Sequence, residues 1–512
     1  MDVDWLQKRA QIDPRKIAVI DALTERKWTF SKLNQRAERM AAYLQQKGVK
    51  FGDRVALFAK NDISHFDLFF AAGKIGAIFV PLNWRLSLME LNDILADCDP
   101  TIMFYDETLK LAEEQVYLED KFVLKDIHGA EYEAIFAGRQ GELFQASYAK
   151  QTDPAVMIYT SGTTGKPKGT LLSYSGIVHN AFYTISNWGL TAQDSTITIG
   201  PMFHSAGLFC FTIPLLLIGG LVVIQPTYDS LMTTQNIAKY APTRIFMVPT
   251  MYYDLWQRDM IDYDELSSVK QFISGGAPVS PKVEHAFEEK GLYIQNAYGL
   301  TEIGPNNFFK DMQTAKKKPT SVGKPFMFAK VRLVSDGGMT VKQGDVGELQ
   351  IAGEHAFIGY WNNTKASIAA FAGDYVRTGD LAYEDEDGDY FIVDRKKDMI
   401  ITGGENVFPS EVENILLAHP AIKDVCVVPF PNDRWGESVA AAVVLNEEGY
   451  ADSTSLIHEL SEHALRFLTK YKIPKFYYFT DEFPVTGTGK INKRALRKKV
   501  TDQIFDGTLK HI

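Results

Sequence analysis

The sequence predicts an α/β protein: a large multi-subdomain N-terminal domain of α/β layered sheets with a β-rich subdomain, then a small α+β C-terminal domain. Three observations predict it. Helix and strand signals alternate through the first half of the chain. Between Val331 and Ala352 the strand signals shorten and turns crowd together. Past about Asp394 the pattern restarts as a compact unit of its own. A chain of 512 residues is also too long for a single core.

Each element follows from local pattern. Leu33, Ala37, Met40, Ala41 and Leu44 recur at helical spacing, and Gly48 stands where that helix should stop. A strand follows at Arg54–Phe58, an apolar helix at Phe66–Gly76 and a strand at Ala77–Pro81. Further strands are expected at Ser195–Gly200, Leu221–Ile224 and Arg244–Val248. The stretch Ala206–Ile224 is apolar and long enough to cross a bilayer. Pro214 and the pair Gly219-Gly220 interrupt it, so it reads as a buried helix, a turn and a buried strand, with no transmembrane span. In the last part a helix is expected at Ser410–His419, strands at Asp424–Phe430 and Val439–Leu445, and a helix at Ser453–Tyr471.

Composition narrows the function classes. Lys+Arg 54 against Asp+Glu 64 gives a net charge of −10 without a large single-sign block, which argues against nucleic acid as a partner. Cys98, Cys210 and Cys426 are far apart and form no framework, which points to a reducing compartment. No signal peptide or C-terminal address is read at either end, so a cytoplasmic location is expected. The basic run Lys493, Arg494, Arg497, Lys498 and Lys499 reads as a solvated helix face, compatible also with peripheral contact to anionic lipid or with coenzyme A phosphates. A homo-oligomer is compatible with the chain, and the sequence does not decide it.

The sharpest local signal is Tyr159–Thr170, which holds Thr160, Ser161, Gly162, Thr163, Thr164, Gly165, Lys166 and Lys168. Hydroxyls, glycines and lysines in one short loop suit a polyanion, because glycines let backbone N–H groups approach phosphate oxygens while lysines balance the charge. It is not a Walker loop, since Pro167 stands where that motif needs its second glycine. A plain surface loop has the same composition.

The loop resembles the phosphate loop of the adenylate-forming superfamily, most like its fatty-acid–CoA ligases. Further strings similar to that superfamily follow in its order: Pro201–Gly207, Ser274-Gly275-Gly276-Ala277-Pro278, Asn296-Ala297-Tyr298-Gly299-Leu300-Thr301-Glu302, Arg377–Asp380, Asp394–Asp398 with Gly403–Asn406, and Pro484–Lys490. The resemblance implies residues 1–394 as an AMP-binding domain and 395–512 as a mobile C-terminal domain, joined by a hinge at Lys397. It implies ATP, Mg²⁺ and coenzyme A as co-reactants of a carboxylic acid. Its nucleotide site would take in the phosphate loop, Gly275 to Ala277, Asn296 to Gly299, Thr301, Glu302, Asp380, Arg395 and Lys490.

Roles follow from the same resemblance. Thr160 and Glu302 are expected to hold Mg²⁺, a hard ion that prefers hydroxyl and carboxylate oxygens. Tyr298 would offer a ring to the purine with room left beside it by Gly299, and Asn296 would bond an adenine edge. Asp380 would accept both ribose hydroxyls, with Arg395 adding a ribose or phosphate contact. Lys490 is the expected catalytic cation, offsetting charge when a carboxylate attacks the α-phosphate. His204 would wall the acyl pocket. Gly403 and Gly404 would line the thiol tunnel, and Trp435 either stacks on coenzyme A or packs as a surface ring. The apolar surroundings of Leu208, Phe211 and Met247 favour a medium- or long-chain fatty acid. Aryl or succinylbenzoate-type acids, or loading of a carrier protein, are the alternatives.

Overall fold

The computed structural model describes residues 4–109, 116, 122–124, 127–137, 144–146, 149–160, 167–258, 264–432, 434–446, 453–485 and 491–505. Four of its sheets position the chemistry. The first runs in the order Ile294–Asn296, Gln271–Ser274, Arg244–Met247, Ser195–Thr198, Leu221–Ile224, Ile17–Asp21 and Lys27–Thr29. All its pairings are parallel except the last, that of Ile17–Asp21 with Lys27–Thr29. Parallel strands are covered on both faces, and these are correspondingly apolar: Ile197, Val223, Ile245 and Phe272 join Met251, Leu255 and Phe287 from neighbouring helices in one core.

The second sheet runs Gly359–Tyr360, Lys168–Ser173, Pro154–Thr160, Ile78–Leu82, Arg54–Phe58, Ile102–Tyr105 and Phe122–Leu124. Helix Phe30–Gln46 packs on helix Ser64–Ile75 beside it. The predicted stop at Gly48 is real: the helix ends at Gln46 and Gly48 takes a φ of +86°, which only glycine adopts at little cost. Ala206–Ile224 keeps the expected turn at Gly219 and strand Leu221–Ile224, but the one expected helix is two, Ser205–Phe209 and Thr212–Ile218. Among the described residues no helix is long and apolar enough to cross a membrane.

A five-stranded sheet supplies the β-rich region. Lys330–Val334, Gly347–Ala352, Tyr375–Glu384 and Phe371–Ala372 are neighbours in that order, and Tyr390–Arg395 pairs with Tyr375–Glu384. The last sheet runs Glu405–Val407, Ile400–Thr402, Gly436–Leu445 and Ile422–Asn432, with Phe476–Phe479 parallel to Gly436–Leu445. Helix Pro409–Leu417 and helix Ser453–Leu465 bury Val412, Leu416, Leu456 and Leu460 against one face. Helix Lys493–Phe505 buries Leu496 and Val500 against the other. The predicted helix Ser453–Tyr471 is shorter than expected. It ends at Leu465, and the chain turns through Lys470–Lys472 to bury Leu468 and Ile473 ahead of Pro474.

The chain divides into two compact units. One comprises Met1–Val331, Gln350–Thr378 and Gly388–Tyr390; the other comprises Arg332–Leu349, Gly379–Asp387 and Phe391–Ile512. The three cysteines are buried and unpaired, and burial pushes each thiol up to about 12.

Candidate active site

In a parallel α/β sheet, ligands gather beyond the carboxyl ends of the strands, where loops leave the layer. Met247, Ser274 and Asn296 are ladder neighbours at those ends. Gly275 to Ala277 and Ala297 to Gly299 leave side by side from there, with Ala297 N–H donating to the Ser274 carbonyl at 2.7 Å. A Cβ on Gly275 would lie 3.1 Å from the Ala297 carbonyl and 3.3 Å from the Phe246 ring, tight enough that its neighbours would have to give. Gly276 has a φ of +85° and open space around it.

Pro201 to Gly207 leaves the neighbouring strand Ser195–Thr198. Asn61 clamps its start: the Nδ2 group donates to the carbonyls of Gly200 and Gln225, and Oδ1 accepts from Met202 N–H at 2.8 Å. His204, half-buried, packs 4.5 Å from the Phe203 ring, and Ser205 Oγ meets Thr301 Oγ1 at 3.1 Å. The 201–207 and 296–302 strings are therefore physically joined.

Asn296 is buried. Its amide NH₂ donates to the Pro319 carbonyl at 2.7 Å and to Glu284 at 3.2 Å, while Oδ1 has no partner among the described residues. That orphaned acceptor fits an exocyclic amine such as that of adenine. Tyr298 is buried too, its ring edge-on to Phe308 at 5.7 Å. The expectation that Gly299 leaves room for a purine needs correction. A Cβ there would come within 2.3 Å of the Pro305 backbone, so that space is taken by the chain itself.

The phosphate-loop string joins two antiparallel strands, Pro154–Thr160 and Lys168–Ser173, with Thr160 paired to Lys168 at its neck. Ser161, Gly162, Thr163, Thr164, Gly165 and Lys166 lie outside the described residues. Thr160 Oγ1 is 3.5 Å from Thr170 Oγ1. Glu302 Oε1 accepts from the Tyr360 hydroxyl at 2.9 Å, and Oε2 takes no hydrogen bond from a described residue. Burial, with the Glu302 charge next, pushes the Tyr360 phenol well above its ordinary value, so it donates. The uncommitted carboxylate oxygen of Glu302 is a hard-oxygen ligand of the kind that suits Mg²⁺.

The AMP-binding enzyme family profile matches residues 6–361, and the AMP-binding enzyme C-terminal domain profile matches 411–490. The chain belongs to the AMP-binding enzyme family. It is an acid–thiol ligase of the adenylate-forming superfamily. It is 33% identical to a feruloyl-CoA synthase of Amycolatopsis sp over 506 residues (97% of this chain, 98% of that one). It is 33% identical to an indoleacetate–CoA ligase of Aromatoleum aromaticum over 512 residues (98% of each). A long-chain-fatty-acid–CoA ligase of Mycobacterium tuberculosis is 31% identical over 513 residues (97% of this chain, 98% of that one). Among solved structures, Bacillus subtilis o-succinylbenzoate CoA synthetase in complex with its acyl-adenylate matches with a TM-score of 0.86 at 28% identity, covering 96% of this chain and 98% of that one. The same synthetase has been solved with ATP and a magnesium ion.

The second unit of this AMP-binding enzyme carries the remaining expected residues. Asp380 is buried and pairs with Arg395 Nε at 2.6 Å, so these two are partners. Asp394 accepts from the backbone N–H groups of Arg395 and Ser410. In the following turn Lys396 is anchored to Asp336 and Glu348, whereas Lys397 is exposed and forms no ion pair with a described residue. Gly403 and Trp435, predicted separately, are in contact. Gly403 N–H donates to the Trp435 carbonyl at 2.8 Å, and a Cβ on Gly403 would meet the indole at 2.8 Å. Trp435 is 46% exposed, with Arg434 stacked 4.6 Å from its ring centre. Gly404 has a φ of +87° and open surroundings. Lys490 lies outside the described residues. Its flanks are paired, with Val485 bridging Ile491 and Asn492 N–H donating to the Pro484 carbonyl at 2.7 Å.

Sequence reasoning missed Asn61 and Tyr360. Neither stands in one of the strings that carry the resemblance, and each acts on residues 58 or more positions away.

Proposed function

We propose that this enzyme joins an aryl or arylalkanoic acid to coenzyme A. The acid's carboxylate oxygen attacks the α-phosphorus of ATP, the bond to the β-phosphate oxygen breaks, and pyrophosphate leaves. The coenzyme A thiolate then attacks the acyl carbon, and AMP departs with the bonding electron pair. No base is needed for the first step, since the acid enters ionised at neutral pH. Bound Mg²⁺ would neutralise phosphate charge, held by Glu302 and Thr160. In this reading Asn296 receives the adenine, Asp380 and Arg395 the ribose, and Lys490 the charge that develops between carboxylate and α-phosphate. Residues 1–394 and 395–512 are the functional domains, with Lys397 at the hinge. Gly403, Gly404 and Trp435 serve the thiol step, and His204 walls the acid.

The choice of acid rests on Phe246. Its half-buried ring lies between Gly200 and Gly275 and lines a small cavity with Ile197, Gly207, Cys210 and Phe211. In this reading the ring ends the acid's pocket short of the depth that an extended alkyl chain would need, which favours a compact planar acid. Leu208 and Met247, apolar residues that favoured a fatty acid on sequence, are fully buried, and Met247 packs within the core of the first sheet. The feruloyl-CoA, indoleacetate and o-succinylbenzoate enzymes point the same way; the long-chain ligase at 31% identity is the contrary relative. AMP release should be measured over cinnamate-, benzoate- and indole-type acids and over straight chains of graded length. An aryl acid is expected to give the highest kcat/KM, and Phe246→Ala to extend the accepted chain length. Palmitate turned over well, with every aryl acid inert, would overturn the assignment.

A further inference from the structure

Tyr360 is the second residue of a two-residue strand, Gly359–Tyr360, that pairs antiparallel with Lys168–Ser173 and places Tyr360 opposite Thr170. Two charged side chains meet the same ring in different ways. The hydroxyl donates to Glu302 Oε1 at 2.9 Å, and the ammonium of Lys168 lies 4.9 Å from the ring centre. Lys168 and Glu302 make no ion pair with each other. The one side chain thus receives the Lys168 cation at its ring and the Glu302 carboxylate at its hydroxyl.

The segment bearing Tyr360 is itself held. Phe357 N–H donates to the Glu302 carbonyl at 2.8 Å, Tyr360 N–H donates to Ser367 Oγ at 2.8 Å, and the Phe357 and Tyr360 rings contact edge-on at 5.0 Å. Glu302 is thus fixed to this segment through both its backbone and its carboxylate.

We infer that Tyr360 is a positioning residue for the adenylation step: its hydroxyl orients Glu302 toward the metal, and its ring holds Lys168 apart from that carboxylate and available to phosphate. The inference rests on the proposed role of Glu302 as a magnesium ligand. Both side chains are already held at Tyr360 before nucleotide arrives, the kind of preorganisation that spares rearrangement at the moment of reaction.

The test is binding of α,β-methylene-ATP by calorimetry, with Mg²⁺ and with EDTA, for the full chain and three variants. Tyr360→Phe keeps the ring beside Lys168 and removes only the hydroxyl. It is expected to lower the affinity gain from Mg²⁺ by about ten-fold, the scale of a lost hydrogen bond to a charged group, with metal-free affinity unchanged. Tyr360→Leu is expected to weaken metal-free binding as well, because Lys168 then closes on Glu302. A merely structural role predicts a fall in Tm with the Mg²⁺ gain intact in Tyr360→Phe, and that result would overturn the inference. Glu302→Gln separates the two levels of the account. If it retains the full Mg²⁺ gain, the metal assignment of Glu302 fails; if it loses the gain and Tyr360→Phe does not, only the role of Tyr360 fails.

Discussion

Replacing Lys490 by alanine is expected to slow acyl-adenylate formation by about 10²–10³-fold, the usual effect of removing one preorganised electrostatic partner of a transition state. The attacking carboxylate and the α-phosphate are both anionic, so their approach is opposed by charge until a cation offsets it. The described flanks of the segment that holds Lys490 are bridged, Val485 to Ile491. The cost should fall on one half-reaction. Nucleotide affinity should stay measurable, and thiolysis of acyl-adenylate supplied from outside should run near the rate of the unaltered protein. Rapid-quench measurement of each half-reaction reads these separately. Equal slowing of both would mean that Lys490 acts on the fold and not on the charge.

Removing Asp67 is expected to be the most damaging single change to stability. Asp67 is fully buried and accepts two hydrogen bonds from Arg36, at 2.8 and 2.6 Å, and a third from the Tyr132 hydroxyl at 2.9 Å. Arg36 is buried with it, its guanidinium 3.6 Å from the centre of the Phe136 ring. Asp67→Leu leaves that cation with Glu133, 3.6 Å away, as its one carboxylate partner among the described residues. Breaking a buried pair on one side costs about 3–5 kcal/mol, whereas replacing both partners with apolar groups is often near neutral. The urea midpoint of Asp67→Leu should therefore fall well below that of the double variant Arg36→Met/Asp67→Leu. A double variant no more stable than the single one would contradict this reading of the pair.

Much of the architecture was legible because local signals and burial agree. The helical repeat from Leu33 to Leu44, the strand Arg54–Phe58 and the Gly219-Gly220 turn each carry their reason within a few residues. The site was legible only as strings. What joins the strings is long-range: Ser205 to Thr301, Asn61 to Met202 and Tyr360 to Glu302 span 58 to 141 positions. No periodicity encodes such contacts, so nothing local to Tyr360 singles it out. Gly299 shows the converse error. A missing side chain signals close approach, but not by what, and here the neighbour is the backbone of Pro305.

The most direct test of the chemistry is exchange of labelled pyrophosphate into ATP in the absence of coenzyme A. Activation through an adenylate predicts exchange that requires the carboxylic acid and Mg²⁺ but no thiol, with AMP as the nucleotide released once coenzyme A is added. Release of ADP, or a complete absence of exchange with an acid that is turned over when coenzyme A is present, would contradict it.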